Sequence, residues 1–387
     1  MLQHRSMDRR SFFRTAAVGG AGLAMVGTPA WEAAAQIVEG TTLRNIRGVG
    51  LDDPALVQLS INENPLGSSR LAIEAVAKRM FGMNRYPFHN QLEEALAKHH
   101  DIPVETVLAG VGSSEILNLV VLAAFFDREG NTVTAFPSYP DPHEKTAALG
   151  REVKKVALKD DWGVDLEAMA RAIDADTRLV SICNPNNPTG QLLDARELEQ
   201  FVQSVPKDVI VCIDEAYIDF VDEPGYPSTI PLAQRMENVV VTRTFSKAYG
   251  LGGVRVGYGI GHPDLLKRLA RFGIGMLHKN TLSIAAAIAA LEDQEHVARS
   301  VEVAREGKAY LYSQLEAMGY EPLRTHTIFV TLHVGPKLET FLELLREQKV
   351  QVRQAFDMDG YMRVSVGLPR ENEAFISEFQ KLSSMPN

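Results

Sequence analysis

The sequence predicts an α/β protein with a large domain, built on a mostly parallel β-sheet covered by helices, and a smaller α+β domain. The chain has 387 residues, 45% of them hydrophobic, which is enough for one large core and a second smaller one. From about residue 105 to 272, short runs rich in Val and Ile alternate with helical patterns, as in parallel sheets covered on both faces. After about residue 280, a long Ala-rich helical stretch leads to short strands around another helix.

The N-terminus has the pattern of a targeting segment. Arg9 and Arg10 precede two phenylalanines, a weakly apolar stretch rich in Ala and Gly, and small residues at Ala33 and Ala35. This resembles a twin-arginine export signal cleaved after Ala35, and its apolar run is shorter than the roughly 20 residues that span a bilayer. We expect residues 1–35 to direct export to the periplasm without stable membrane insertion. An ordinary disordered tail or a membrane anchor is the alternative for this segment, and the cytoplasm is the alternative location.

The rest of the chain is expected to form three parts. Residues 36–66 would be an arm that contributes to the small domain, residues 67–280 the large domain with the candidate site, and residues 281–387 the small C-terminal domain.

Charge and composition narrow the ligand classes. The formal net charge is -9 and acidic and basic residues are mixed, so no basic stripe for nucleic acid is visible. The ten histidines show no metal-binding spacing, and we expect no metal site. Cys183 and Cys212 each lie in an apolar run, which is typical of buried, reduced cysteines. A small anionic ligand would need locally placed arginines.

Two glycine-containing turns offer polar groups to such a ligand. In 110-GVGSSEILNLVVLAAF-125 a Gly-rich turn opens an apolar helix, so Ser113 and Ser114 would present N–H groups and hydroxyls to an anion. In 182-ICNPNNPTGQLL-193 two prolines and a glycine fix the backbone, which sets the directions of the asparagine amides.

The stretch 211-VCIDEAYIDF-220 places an acid at the end of a buried strand. Asp214 is costly to keep ionised there unless a cation meets it, and a protonated pyridine nitrogen would be such a partner. Tyr217, three residues later, could reach an oxygen on the same ring. A carboxylate that caps the next helix is the alternative.

The stretch 243-RTFSKAYGLGGVRVGYG-259 combines a nucleophile with anion-binding groups. Lys247 can form a Schiff base with a carbonyl compound once it is deprotonated. Thr244 and Ser246 offer hydroxyls, and Arg255 offers a fork of donors suited to phosphate.

Together and in this order, these motifs resemble fold-type I pyridoxal-phosphate enzymes of the class I/II aminotransferase group, and most of all the histidinol-phosphate aminotransferase branch. The resemblance covers about residues 55 to 380. It implies the fold-type I architecture, pyridoxal 5'-phosphate as cofactor, and transfer of an amino group from an amino acid or related amine to a 2-oxo acid.

The resemblance also assigns the cofactor-binding roles. Lys247 would bind the cofactor covalently and carry the proton, Asp214 would pair with the ring nitrogen, and Tyr217 and Asn187 would hold the ring oxygen. Tyr86 in 84-NRYPFHN-90 would reach the phosphate of the neighbouring subunit, which implies a homodimer with shared sites; a packed surface tyrosine is the alternative. The phosphate-binding residues would be Ser113, Ser114, Thr244, Ser246 and Arg255.

Substrate contacts follow from the same resemblance. Arg363 in 361-YMRVSVG-367 would bind an anionic group of the substrate, and Asn187 would lie beside it. Arg353 would help with a substrate phosphate, although a solvated charge at a strand end is an equal alternative. Asn62 and Asn64 in 61-INENPLG-67 would lie near the substrate mouth.

The sequence departs from the family pattern at the residue that covers the cofactor ring. Pro142 stands where an aromatic residue is usual, so Tyr139 or His143 would have to stack there. Ile328 stands where the family often has asparagine. The altered position over the ring leaves a second reaction open, that of a pyridoxal-phosphate oxidase or lyase on the same scaffold.

Overall fold

The computed structural model describes residues 55–87, 89–275 and 279–383. The predicted export signal lies outside the described residues. The strands are β1 (Val57–Gln58), β2 (Val107–Gly110), β3 (Asn131–Phe136), β4 (Glu152–Ala157), β5 (Thr177–Cys183), β6 (Ile210–Asp214), β7 (Val239–Thr244), β8 (Gly257–Gly261), β9 (Phe329–His333), β10 (Val350–Gln351), β11 (Arg353–Gln354) and β12 (Tyr361–Ser365). The helices are α1 (Arg70–Met80), α2 (Gln91–His100), α3 (Ser113–Phe125), α4 (Asp141–Ala148), α5 (Leu166–Ala172), α6 (Ala195–Ser204), α7 (Ile230–Arg235), α8 (Pro263–Ala270), α9 (Thr281–Glu292), α10 (Gln294–Ala317), α11 (Leu338–Glu347) and α12 (Pro369–Ser383).

Among the described residues, the large sheet has seven strands in the order β2-β8-β7-β6-β5-β3-β4. Neighbouring strands from β7 to β4 are parallel, and β8 runs antiparallel to both β7 and β2. The central strand β6 is buried along its whole length and β5 at every residue but Arg178, as expected for a sheet covered on both faces. The predicted α/β class with a mostly parallel sheet is confirmed.

Helices cover this sheet through apolar faces of helical period. In α6, for example, Leu198, Phe201 and Val202 are buried. Asp194 caps its N-terminus by accepting from the N–H groups of Arg196 and Glu197. The Ala-rich stretch after residue 280 forms α9 and α10.

A smaller antiparallel sheet lies in the C-terminal part of the chain, with strand order β11-β12-β9. The N-terminal strand β1 pairs in parallel with β10 through Val57 and Val350, so the segment before α1 joins the C-terminal part. Helix α12 buries Phe375 and Phe379 in the C-terminal part, where Phe379 packs on Phe341 of α11.

The carboxyl ends of β5, β6 and β7 meet at one edge of the large sheet. Cys183 lies opposite Asp214, and Asp214 lies opposite Thr242. Ligands bind at such an edge in open α/β sheets. The ends of these three strands and the loops that follow them carry half of the predicted site residues: Asn187, Asp214, Tyr217, Thr244, Ser246, Lys247 and Arg255.

Candidate active site

Asp214 ends β6 as a buried carboxyl group. Its side chain accepts a hydrogen bond from Thr242 Oγ1 at 2.8 Å. Burial raises the pKa of Asp214 to about 6, while the bond from Thr242 opposes that shift and the Asp141 carboxylate adds to it. A cation that faced the carboxylate would restore its ionised form.

Lys247 lies in the turn that follows β7. Its Nζ donates to the carbonyl oxygens of Ile61 at 3.2 Å and Asn62 at 3.0 Å. Burial lowers the pKa of Lys247 to about 8, with Arg363 the largest of the charges that act in the same direction. A lysine in this state is partly deprotonated at moderately alkaline pH and can act as a nucleophile.

The start of α3 and the turn after β7 form an anion cradle. A Cβ on Gly112, which has φ +78°, would lie 2.6 Å from Arg255 Nη2, so the guanidinium reaches the helix N-terminus. Thr244 Oγ1 donates to Ser246 Oγ at 2.9 Å. The N–H groups of the first helical turn have no intrahelical acceptor, which favours an anion there. The predicted phosphate residues Ser113, Ser114, Thr244, Ser246 and Arg255 belong to these two segments.

Tyr217 and Asn187 lie on the loops that follow β6 and β5. The Tyr217 phenol is buried and accepts a hydrogen bond from Asn62 Nδ2 at 2.8 Å. Asn187 is buried, and its Oδ1 accepts from Arg363 Nη1 at 2.6 Å. Burial raises the pKa of Tyr217 to about 12, against the lowering effects of Arg363 and of the bond from Asn62, so this phenol keeps its proton.

Arg363 is a buried guanidinium on β12. Its Nη2 donates to the Ser60 carbonyl oxygen at 2.9 Å, and its Nε is buried without a hydrogen-bond partner in the part of the chain that the structure describes. Burial lowers the pKa of Arg363 to about 10, and the charge of Arg353 adds to the shift. No carboxylate of the described residues lies within ion-pair distance of Arg363, so the group can receive an anion.

Arg353 lies directly opposite Arg363 in the β11–β12 ladder. Both guanidiniums lie against the Phe356 ring, with Arg353 Cζ 4.3 Å and Arg363 Cζ 5.0 Å from the ring centroid. Two like charges opposite each other destabilise a strand pair, and an anion bound between them would remove that cost. Phe356 was missed by sequence reasoning because the ring acquires this position only through the strand pairing.

Asn64 is committed to the protein's own structure. Its Nδ2 donates to the Ala248 carbonyl oxygen at 2.9 Å, to the Lys247 carbonyl oxygen at 3.2 Å and to Ser300 Oγ at 2.8 Å. The side chain therefore anchors the turn that carries Lys247. Its role as a substrate ligand stays a prediction. Tyr86 is 63% exposed in the single chain.

Tyr139 is an aromatic residue that lies beside the predicted cofactor-binding residues. Its phenol interacts with Ser114 and Asp214, and its pKa lies well above the ordinary value because of burial and the nearby Asp141 carboxylate. The Tyr139 ring lies 6.5 Å from that of Phe356. His143 is buried against Phe136 instead. Of the two residues that the sequence left open, Tyr139 is the one beside the site.

These groups fit pyridoxal phosphate. The cradle beside Gly112 suits a phosphate, the buried Asp214 suits a protonated ring nitrogen, and Lys247 suits an aldehyde. Arg363 with its unpartnered Nε suits a substrate anion. Among the described residues, no group of three or more His, Cys, Asp or Glu side chains could hold a metal ion.

The comparison with known families decides the assignment. Residues 54–378 match the family model described as aminotransferase class I and II. The chain belongs to this family. It is a pyridoxal-phosphate-dependent aminotransferase, and its cofactor is pyridoxal 5'-phosphate.

Individual relatives agree with the family match. The chain is 37% identical over 342 residues to the histidinol-phosphate aminotransferase of Moorella thermoacetica, with 87% of each chain covered. It is also 37% identical over 346 residues to histidinol-phosphate aminotransferase 2 of Pseudomonas aeruginosa, with 87% of this chain and 91% of the relative covered. In fold it is similar to the histidinol-phosphate aminotransferase of Sinorhizobium meliloti, solved with pyridoxal-5'-phosphate, with a TM-score of 0.80 at 23% identity and 89% and 97% coverage.

The residues of this aminotransferase divide the chemistry between them. Pyridoxal phosphate, when bound, supplies an aldehyde carbon and a ring that withdraws electrons from the substrate Cα. Asp214 would hold the proton on the ring nitrogen. Lys247 Nζ would hold the cofactor covalently and, when free, would move the proton at Cα. Arg363 would bind the substrate anion and so fix the direction of the Cα–H bond.

Proposed function

We propose that the aminotransferase acts on substrates whose anionic group is bound jointly by Arg353 and Arg363, and that histidinol phosphate is its amino donor. The observation that carries this proposal is the pair of guanidiniums that lie opposite each other in the β11–β12 ladder and contact the same Phe356 ring. A phosphate or a carboxylate would neutralise both charges and would satisfy the buried Arg363 Nε. The relatives named above act, by their names, on histidinol phosphate.

The donor is tested by the absorbance spectrum of the purified protein during anaerobic addition of single amines. Histidinol phosphate should convert the band of the lysine-bound cofactor into a pyridoxamine-type band, and histidinol, which lacks the phosphate, should do so only at much higher concentration. Addition of a 2-oxo acid should restore the first band. Conversion by another amine and not by histidinol phosphate would contradict the proposed donor. Turnover that needs oxygen would favour the alternative reaction, that of a pyridoxal-phosphate oxidase.

Arg353→Gln tests the joint anion site. It should raise the KM for histidinol phosphate about tenfold or more, because a hydrogen bond to a charged group contributes about 1.5–3 kcal/mol. Arg346→Gln removes an exposed arginine of α11 and is the matched control. An unchanged KM in Arg353→Gln would place Arg353 among the solvated charges.

We also propose a homodimer in which Tyr86 contributes to the partner's site. Exposed apolar side chains surround this segment, which favours a covered surface. They are Leu71, Met80, Phe81 and Met83. Refolding a mixture of inactive Lys247→Ala and Tyr86→Ala proteins should recover activity, because one of the two sites in a mixed dimer would be intact. A monomer by light scattering, or no recovery in the mixture, would contradict the proposal.

Export is proposed from residues 1–35, on the pattern around Arg9 and Arg10. The full chain should be recovered from the periplasmic fraction with its new N-terminus at Gln36. A chain with both arginines changed to lysine should stay in the cytoplasm. An unprocessed wild-type chain found only in the cytoplasm would overturn this proposal and leave the enzymatic one intact.

A further inference from the structure

The Tyr217 phenol is buried in the candidate site and has one hydrogen to donate. It lies buried beside Lys247, whose Nζ is 5.7 Å from the ring centroid, and it packs edge-on against Phe329. A phenol both accepts and donates. Because Asn62 Nδ2 donates to the phenol oxygen at 2.8 Å, the phenol's own hydrogen remains for another acceptor.

The orientation of the Asn62 amide is set by a hydrogen bond from Ser365. Asn62 is buried, and its backbone has φ +58°, a left-handed conformation that asparagine tolerates better than most residues. An asparagine amide could turn either its oxygen or its nitrogen toward Tyr217. Its Oδ1 accepts from Ser365 Oγ at 2.8 Å, so the nitrogen is turned toward the phenol.

The Ser365 hydroxyl is itself oriented by the backbone. Ser365 Oγ accepts from the Asn62 N–H at 2.8 Å, which leaves its hydrogen to donate to Asn62 Oδ1. Ser365 is buried at the end of β12, two residues after Arg363. Side chains two apart in a strand lie on the same face, so the strand that binds the substrate anion also carries this hydroxyl.

We propose that Ser365 is a positioning residue of the cofactor site: through Asn62 it keeps the Tyr217 phenol an acceptor on one side and so directs the phenol's hydrogen to the oxygen of the pyridoxal ring. The inference rests on the cofactor-binding role of the site. Ser365 and Asn62 touch neither reacting atom and act through Tyr217.

The consequence is a measurable change in the acidity of the link between Lys247 and the cofactor. A hydrogen bond from Tyr217 stabilises the negative ring oxygen, so the linking nitrogen gives up its proton at lower pH. Without Ser365, Asn62 is free to turn its amide oxygen to the phenol and draw the phenol's hydrogen away from the ring. The linking nitrogen then keeps its proton to higher pH.

The experiment is a spectrophotometric pH titration of the cofactor-loaded protein without substrate. Ser365→Ala should raise the midpoint of the absorbance change by about one pH unit, the equivalent of one hydrogen bond to a charged group. Ser365→Cys, which keeps a weaker donor, should give a smaller rise and serves if the alanine variant does not fold.

Ser300, which accepts a hydrogen bond from Asn64, provides a matched control. It is also buried, but it has no contact with the phenol. Ser300→Ala should leave the midpoint unchanged. In a Tyr217→Phe background, Ser365→Ala should cause no further shift, because the two residues then act through one interaction.

The outcomes separate this inference from the assignment of function. An unchanged midpoint in Ser365→Ala, or an equal shift with and without the phenol, overturns the positioning role while the wild type still reacts with its donor. A wild-type protein that shows no lysine-bound cofactor band would instead overturn the function of the site.

Discussion

Burial shifts the pKa values of Lys247 and Asp214 in opposite directions, and both shifts serve the cofactor. In the cofactor-free protein, burial lowers the pKa of Lys247 to about 8 and raises the pKa of Asp214 to about 6. The lysine is therefore available as a nucleophile, and the carboxylate is strained until a protonated ring nitrogen meets it. The charged forms of Lys247 and Asp214 are therefore less stable in the cofactor-free protein than in the cofactor-loaded protein.

The rate of cofactor binding should therefore follow the titration of Lys247. We expect the second-order rate of reconstitution to rise with pH and to level off above about 8, rather than near the value of about 10.4 of an ordinary lysine. Arg363→Gln should move this midpoint to higher pH, because the Arg363 charge lowers the pKa of Lys247. Stopped-flow mixing of the apoprotein with pyridoxal phosphate measures both. A pH-independent rate would exclude Lys247 as the titrating group.

Asp214→Asn should separate cofactor binding from catalysis. The amide can still accept from Thr242, but it cannot hold a proton on the ring nitrogen, so the electron-withdrawing power of the ring falls. We expect cofactor binding to persist while Cα proton removal slows by about 100-fold or more. Exchange of the Cα hydrogen with deuterium measures this step directly. Exchange at the wild-type rate would remove Asp214 from its assigned role.

Asp214 and Lys247 could be predicted from sequence because each stands at the end of an apolar run with informative neighbours. Thr242 and Ser365 could not. Each is an ordinary hydroxyl residue on a strand, and its partner is set by the sheet register or by a contact 303 positions away along the chain. The candidate ligand-binding residues could thus be predicted from the sequence, whereas the residues that orient them could be found only in the fold.

At the scale of elements, the phosphate cradle depends on the close approach of β8 to the start of α3. A Cβ on Gly257 would lie 2.3 Å from the Ser113 nitrogen and 2.6 Å from the Gly112 carbonyl carbon. Both are backbone atoms, so neither can move without displacing the helix N-terminus. The glycine-rich sequence predicted a cradle, but only the strand pairing shows which glycine allows the contact.

Gly257→Ala should therefore weaken phosphate binding and lower stability together. Overpacking of this kind costs about 1–3 kcal/mol, and we expect cofactor affinity to fall at least about tenfold. Gly253→Ala is the matched control, since nothing lies within 4 Å of its Cβ in the same stretch. Equilibrium dialysis and thermal melts of both proteins compare them. Equal affinities in the two variants would show that the helix N-terminus can shift without loss.

At the scale of the whole molecule, one cluster of charged side chains joins the loop that follows β6 to the C-terminal part of the chain. Asp222 follows β6, and its Oδ2 lies 3.3 Å from Nζ of the buried Lys308 on α10. Its Oδ1 lies 2.6 Å from Nδ1 of His326, just before β9. The α/β class could be predicted from local periodicity, but this contact could not, because 86 positions separate Asp222 from Lys308.

Asp222→Asn should destabilise the protein, because it leaves the buried Lys308 charge without its carboxylate. Since Asp222 is 44% exposed, water screens part of the effect, and we expect about 1–2 kcal/mol. The Lys308 and His326 charges hold the pKa of Asp222 below its ordinary value against the effect of burial. The contribution is therefore complete above the unfolded pKa of about 4 and is lost as the pH falls through the folded pKa. Denaturant unfolding at pH 7 should separate wild type from variant, and the gap should close in acid. Asp264→Asn, which breaks an exposed pair with Lys267, should change little at either pH. A gap that persists at low pH would mean that packing, and not charge, holds Asp222 in place.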